Sequence, residues 1–301
     1  MTTSTTPASG TQYTITHGGY AATIASIGAS LRELTVDGRP LVVAFGADEV
    51  RPKFRGSMLA PWPNRIVDGK YSFDGESYQV AITEPERGHA LHGLVAWLDF
   101  ALVSQEQAEV VLEGVIQPQA GYPWRVVVTV TNTLSDAGLA TTVTATNESA
   151  TAAPYGTGPH PYLVGGSGRV DEWTLDLPAE SVLLTTDTLA PTDVVPVQSA
   201  GLDWREPRPV GDTFIDHAFT GLGAARVRLT DGSGTGVEMT WGPECRWVQL
   251  HTADLPNPAT SRRGLAVEPM TCPPDSFNSG TDLIRLEPGI PVSAGWSIAA
   301  I

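Results

Sequence analysis

Apolar and polar residues alternate with a period of two along most of the chain, the pattern of strands with one buried face. Arg125 to Asn132 (RVVVTVTN) and Leu139 to Asn147 (LATTVTATN) are β-branched runs separated by a short segment containing Leu134-Ser135-Asp136-Ala137-Gly138, which predicts a hairpin. Lys70 to Val80 places Asp74-Gly75 between two alternating runs, the strongest short-range hairpin signal. Val36-Asp37-Gly38-Arg39 and Leu229-Thr230-Asp231-Gly232 repeat the device. Leu94 to Glu113 lacks Gly and Pro and is long enough for a helix, yet it divides better into two strands around Ser104 to Gln107. Turn signals recur from Tyr13 to Ser297, the spacing of an all-β sandwich or barrel. The Pro-rich stretch from Ala190 to Pro209 reads as a long connection, and no composition shift marks a linker. The expectation is a disordered polar tail over residues 1–12, followed by one β-sandwich domain over residues 13–301.

Composition narrows the function classes. The 301 residues suffice to bury a core without staples, and 31 Gly with 24 Pro leave little room for long helices. Eighteen basic against 33 acidic residues give a net charge of −15, which argues against a nucleic-acid partner. Cys245 and Cys272 cannot build a disulfide framework and read as buried hydrophobes. The first twelve residues lack the basic and apolar regions of a signal peptide, and no run is long and apolar enough for a membrane span. A cytoplasmic protein with no membrane partner, monomer or homodimer, is therefore expected. Two lysines among 18 basic residues make Schiff-base chemistry a poor choice.

Some residues stand in settings that need explaining. His160 lies in Gly158-Pro159-His160-Pro161-Tyr162, where flanking prolines restrict the backbone and aim the imidazole at little entropic cost. Such preorganisation suits a proton donor and equally an ordinary rigid loop. Glu268 ends the apolar run Gly264 to Val267, where desolvation would raise its pKa towards that of a general base; the commoner case is a strand-end carboxylate reaching solvent. Asn64-Arg65 sits in the stiff, apolar Ala60-Pro61-Trp62-Pro63 setting, offering a guanidinium fork for sugar hydroxyls or a salt bridge that pins the loop. Asp216-His217 follows Phe214-Ile215. His89 and His92 have a metal-ligand spacing without an evident third ligand, so neither metal nor cofactor is expected. Gly232 to Gly236 looks like a phosphate loop but precedes no helix, so it reads as a hairpin tip.

The order of these motifs is more specific than any one of them. Pro63-Asn64-Arg65-Ile66, Ala90-Leu91-His92-Gly93, Gly158 to Tyr162, Ile215-Asp216-His217, Val267-Glu268-Pro269 with Pro274 to Asn278, and Leu286-Glu287-Pro288-Gly289 follow one another along nearly the whole chain. In this order the sequence resembles the aldose 1-epimerase (galactose mutarotase) family. The resemblance implies a large antiparallel β-sandwich with an open cleft, His160 as general acid and Glu268 as general base. It further implies sugar-binding roles for Arg65, His92, Asp216 and Gln249, with Asn64 beside them and Trp97 stacking on a sugar face. The Glu268-Pro269-Met270-Thr271-Cys272 stretch is more similar to the bacterial mutarotase-related branch than to the galactose enzymes.

The implied activity is interconversion of the α and β anomers of a hexose, with His160 protonated while Glu268 is ionised. A hexose-6-phosphate or other acidic-sugar epimerase ranks second, because Arg51, Lys53 and Arg55 could form an anion cluster. A non-catalytic carbohydrate-binding module ranks third. A glycosidase using Asp216 and Glu268 would leave His160 without a task.

Overall fold

A computed structural model describes residues 6–301, and almost every regular element in them is a strand. The largest sheet has nine antiparallel strands, running in space from Ala101–Gln105 through Glu109–Ile116, Val126–Ser135, Gly138–Asn147 and Val292–Ala300 to Gly236–Trp241, Arg226–Thr230, Thr174–Leu177 and Trp204–Pro209. A six-stranded sheet has the order Tyr162–Leu163, Leu265–Met270, Trp247–His251, Asp216–Leu222, Ala179–Thr185 and Pro191–Pro196. A four-stranded sheet is built from Gln12–His17, Tyr20–Ala25, Ser30–Val36 and Arg39–Pro40.

The core follows from the period of two. In Val126–Ser135 every second residue is buried, beginning with Val126, Val128 and Val130. One contiguous apolar cluster joins these valines to Val248, Leu250 and Val267 of the six-stranded sheet and to Ile15, Ile24 and Leu34 of the four-stranded one. The two larger sheets thus share a single interior, the arrangement of a β-sandwich. The hairpins at Asp74-Gly75, Asp37-Gly38 and Asp136-Ala137 and the tip at Asp231 to Thr235 all form as the turn chemistry predicts. The expected pair of strands forms as Ala101–Gln105 and Glu109–Ile116, while the residues before Phe100 make turns rather than strand. Cys245 and Cys272 are both free and buried.

Two expectations fail, each for a local reason. The Ala190 to Pro209 stretch is not a plain connection, for it supplies the edge strands Pro191–Pro196 and Trp204–Pro209 of the two large sheets. Proline lacks an amide donor, so an edge is the place in a sheet that tolerates it, and there it blocks further pairing. Residues 1–5 of the expected tail lie outside the described residues. The rest of that segment is tied down: Ser9 donates from its amide and its hydroxyl to the Ala47 carbonyl (3.0 and 2.8 Å), and Gln12 opens the first strand.

Alternation within Trp247–His251 sends Val248 and Leu250 into the core and Gln249 and His251 to the opposite face. Leu250→Ala should therefore destabilise the protein by ~2–5 kcal/mol, whereas Gln249→Ala should change stability by less than about 1 kcal/mol. Urea unfolding of the two variants checks this; equal midpoint shifts would contradict the assignment of faces.

Candidate active site

Strand register collects the candidate residues. Gln249 lies opposite Glu268, and His251 lies opposite Asp216, in two adjacent antiparallel pairs. Opposed residues share a face, so Glu268, Gln249, His251 and Asp216 form one polar patch on the side of the sheet away from the core. Tyr162 pairs with Ala266, and the Val267 amide donates to the Pro161 carbonyl at 3.1 Å. Continued by two residues, that register sets His160 beside Glu268, and His160 Nε2 stands 3.4 Å from Glu268 Oε1.

The remaining groups arrive on stiff loops. The His160 amide donates to the Ser57 carbonyl and its carbonyl accepts from the Gly56 amide (3.0 and 2.8 Å), so its backbone is fixed at both ends. His92 has a left-handed backbone (φ 62°), donates its amide to the Asn64 carbonyl at 2.7 Å, and meets the His160 ring edge-on at 5.0 Å between centroids. Gly93 follows with φ 71°, and a Cβ there would lie 2.2 Å from the Ala60 carbonyl oxygen, so only glycine closes this turn. Arg65 makes a bidentate pair with Glu84 (2.7 and 2.9 Å), and its third nitrogen donates to Asn64 Oδ1 at 3.1 Å. Asp275 accepts from the Val67 amide and donates its own amide to the Arg65 carbonyl, fastening that loop.

The cleft enclosed by these elements has a volume of about 280 Å³, at the small end for a small-molecule site and of monosaccharide scale. His160 and Glu268 are both buried at its base. Gln249 Nε2 donates to Asp216 Oδ1 at 2.7 Å, which orients that carboxylate. Glu268 Oε2, Gln249 Oε1, His92 Nδ1 and His160 Nδ1 make no hydrogen bond within the protein, and His251 Nδ1 stands 3.7 Å from Asp216 Oδ2 without forming one, so the site keeps hydrogen-bonding capacity in reserve.

Burial also sets the charge states. Desolvation, with the Asp216 carboxylate nearby, pushes Glu268 well above the usual carboxylate range. Desolvation, with the Arg51 and Arg65 guanidinium groups adding to it, brings His160 down to about 3, and desolvation, with His160 and Arg65 nearby, holds His92 well below the usual imidazole range. Burial therefore favours a protonated Glu268 beside a neutral His160. These directions oppose the expected charge state, an imidazolium facing a carboxylate. The two forms differ only in which side of the 3.4 Å gap holds one proton.

The aldose 1-epimerase family model matches residues 11–298. The chain belongs to the aldose 1-epimerase family. It is 35% identical over 284 residues to the uncharacterised protein YihR of Escherichia coli K12, covering 94% of this chain and 91% of that protein. It is 30% identical over 218 residues to the galactose mutarotase of Sus scrofa, covering 66% of this chain and 61% of the mutarotase. Among solved structures, a putative aldose 1-epimerase of Escherichia coli K12 superposes with a TM-score of 0.84 at 22% identity, covering 97% of this chain and 99% of that one. The galactose 1-epimerase of Lactobacillus acidophilus shares the fold with a TM-score of 0.78 at 16% identity, covering 96% of this chain and 94% of that one.

Against the family-implied set, the structure brings Asn64, Arg65, His92, His160, Asp216, Gln249 and Glu268 to one cleft. Trp97 is not among its lining residues. Its ring carries the Arg51 guanidinium at 4.5 Å and leans on Phe54 at 5.7 Å, and Phe54 is the aromatic that lines the cleft. The Arg51, Lys53 and Arg55 cluster does not form either. Arg51 is buried, donating to Ile27, Ser30 and Ala96, and of the three only Lys53 lines the cleft. His89 is a structural residue of the epimerase fold: Nδ1 accepts from the Asp68 amide (3.3 Å), which leaves Nε2 to donate to the Thr188 carbonyl (3.0 Å). Glu84, which holds Arg65, was not singled out from the sequence because Thr83-Glu84-Pro85-Glu86-Arg87 looks like any solvated charged loop. His251 was visible only as the end of the Gln249 strand.

A carboxyl whose pKa rises on folding makes the folded state bind more protons than the unfolded state above the ordinary carboxylate range. Stability is therefore lost as pH climbs from that range towards the raised value. Glu268→Gln removes the penalty and keeps the shape. Its Tm should exceed that of the wild type by an amount that grows from pH 5 to pH 8, reaching at least about 2 °C. A difference independent of pH, read by scanning calorimetry, would show that Glu268 is not held neutral.

Proposed function

We propose that this protein interconverts the α and β anomers of a hexose by opening and reclosing the ring. The observation that carries the reading is the His160–Glu268 pair, 3.4 Å apart at the base of a monosaccharide-sized polar cleft. A ring-closed aldose is a hemiacetal. Opening it takes a proton from the C1 hydroxyl and gives one to the ring oxygen. In the ionic form of the pair, Glu268 accepts the first proton and the His160 imidazolium supplies the second. The product is an open aldehyde facing protonated Glu268 and neutral His160, the form that burial favours. After rotation about C1–C2, Glu268 returns its proton to the aldehyde oxygen as His160 takes one from the C5 hydroxyl, and the ring closes on the other face.

One proton thus serves the whole cycle, and no covalent intermediate is involved. General acid and general base each contribute typically 10²–10⁴, together about 5–11 kcal/mol. Hemiacetal opening already proceeds in water, so that range is sufficient. Arg65 retains two N–H groups after its bonds to Glu84 and Asn64, and these with Asp216, Gln249 and His92 would hold the sugar hydroxyls. The named activity of the pig relative, galactose mutarotase, supports a catalytic reading over a binding module.

Polarimetry of freshly dissolved α-D-glucose and α-D-galactose tests the reading. Wild type should accelerate anomer exchange, and Glu268→Gln should lose at least ~10²-fold in kcat. Near-wild-type turnover in that variant would remove Glu268 from its role.

The pH profile gives a separate check. The active free enzyme carries one proton on the pair. Rates should fall on the acid side only as pH approaches about 3, where His160 also becomes charged, and on the alkaline side well above the ordinary carboxylate range, as the pair loses its proton. An acid limb centred between pH 6 and 7 in kcat/KM would mean that an unperturbed imidazole titrates instead.

A further inference from the structure

Among the described residues, 13 other than glycine have a positive φ, and four of them, Lys53, Phe54, Asn64 and His92, line the cleft. Asparagine enters the left-handed region readily, but a bulky aromatic residue there is a true outlier. Lys53 and Phe54 (φ 49° and 55°) are also the only two of the 13 that follow one another directly. Backbone strain is thus concentrated where it delivers one aromatic ring to the cleft.

The Phe54 ring meets two imidazoles there. Its centroid is 6.4 Å from that of His160 with 28° between the planes, and 4.6 Å from that of His92 with 66° between them. Tyr162 stacks on His160 at 5.2 Å and His92 meets it edge-on, so three rings pack around this imidazole. Tyr162 and His92 are themselves buried, whereas Phe54 is half-buried and is the ring of the three that faces solvent. The strained turn is also tied to His160. The Gly56 amide donates to the His160 carbonyl (2.8 Å), the Ser57 amide to the Phe54 carbonyl (2.9 Å), and the Tyr162 hydroxyl to the Lys53 carbonyl (3.2 Å). Ring and imidazole are therefore held in register by one set of backbone hydrogen bonds.

We propose that Phe54 is a positioning residue of the acid–base pair, whose ring shields His160 from water so that its proton passes to the sugar rather than to solvent. The inference rests on the epimerase reading of the cleft and adds to it the group that keeps the pair dry. Several groups bear on His160: Glu268 faces it at 3.4 Å, Tyr162 and His92 pack on it, His251 lines the same cleft, and Arg51 and Arg65 disfavour its charged form. Burial outweighs them all, and Phe54 is the half-exposed part of that burial. A ring that is apolar and uncharged excludes water without competing for the proton.

The test compares Phe54→Ala with Phe54→Leu on the full chain; both keep a Cβ and hence the left-handed strain, so they differ in the space they fill. NMR titration follows the six imidazoles, with the His160 signal assigned by its loss in His160→Ala. Phe54→Ala admits water beside His160, which favours the charged form. Its midpoint should therefore rise from the wild-type value by at least about one pH unit, and the acid limb of kcat/KM for D-glucose should rise with it. Phe54→Leu refills most of the space and should bring both back to within about half a unit of the wild type. A His160 that titrates in Phe54→Ala as it does in the wild type would overturn the proposal, even with Tm lowered, since Phe54 would then be packing alone. A shift as large in Phe54→Leu as in Phe54→Ala would overturn it too. A shifted His160 in a protein whose wild type exchanges no anomers would sink the epimerase reading and leave the shield standing. Wild-type exchange with His160 unshifted in Phe54→Ala would do the reverse.

Discussion

Two groups that need water to carry charge are held 3.4 Å apart where water is scarce, and the rest of the site is arranged around that constraint. Removing His160 and Glu268 from solvent disfavours imidazolium and carboxylate alike, so the pair settles on one shared proton. That arrangement is a poor stabiliser of the fold and a good starting point for moving protons. On the proposed cycle each half-reaction converts one protonation form of the pair into the other. The free-energy gap between them is therefore what the enzyme has to keep small, and ligand hydroxyls donated into the cleft are the means available.

The charged groups around the pair are mostly neutralised in place. Arg65 is gripped by Glu84, which also takes Arg87 at 2.6 Å, and Asp216 is oriented by Gln249. What the cleft presents to a ligand is thus a set of directed donors and acceptors rather than a strong net field, which suits hydroxyl groups.

Much of the fold was legible because strand alternation and Asp-Gly turns are local properties. Val126–Ser135 and Gly138–Asn147, with the turn between them, were readable from their own residues. The Ala190 to Pro209 stretch was not, since proline content says that a strand cannot be central but not that an edge is free to receive it. In the site, His160 and Glu268 stood out because each sat in an unusual local setting. Glu84 did not, since a charged loop residue looks the same whether it grips a buried arginine or meets only solvent. Trp97 misled for a related reason: an exposed indole suggests a sugar platform until the Arg51 guanidinium is found over it. Partners far apart in sequence decide such cases, and no local pattern encodes them.

The same distinction explains how fold and site can diverge at different rates. Solved structures only 16–22% identical to this chain share its architecture over nearly its whole length. A sandwich core asks only that every second residue be apolar and of roughly fitting volume, a requirement met by many sequences. The cleft asks for more. Glu268, Gln249, His251 and Asp216 share a face only because three strands keep one register, and a slip of one residue in any of them would bury its polar groups in the core. The buried apolar residues on the reverse of those strands, Val248, Leu250 and Val267, oppose such a slip, since they would have to leave the interior. Core packing on one face of the sheet is thus what sets the geometry of the chemistry on the other.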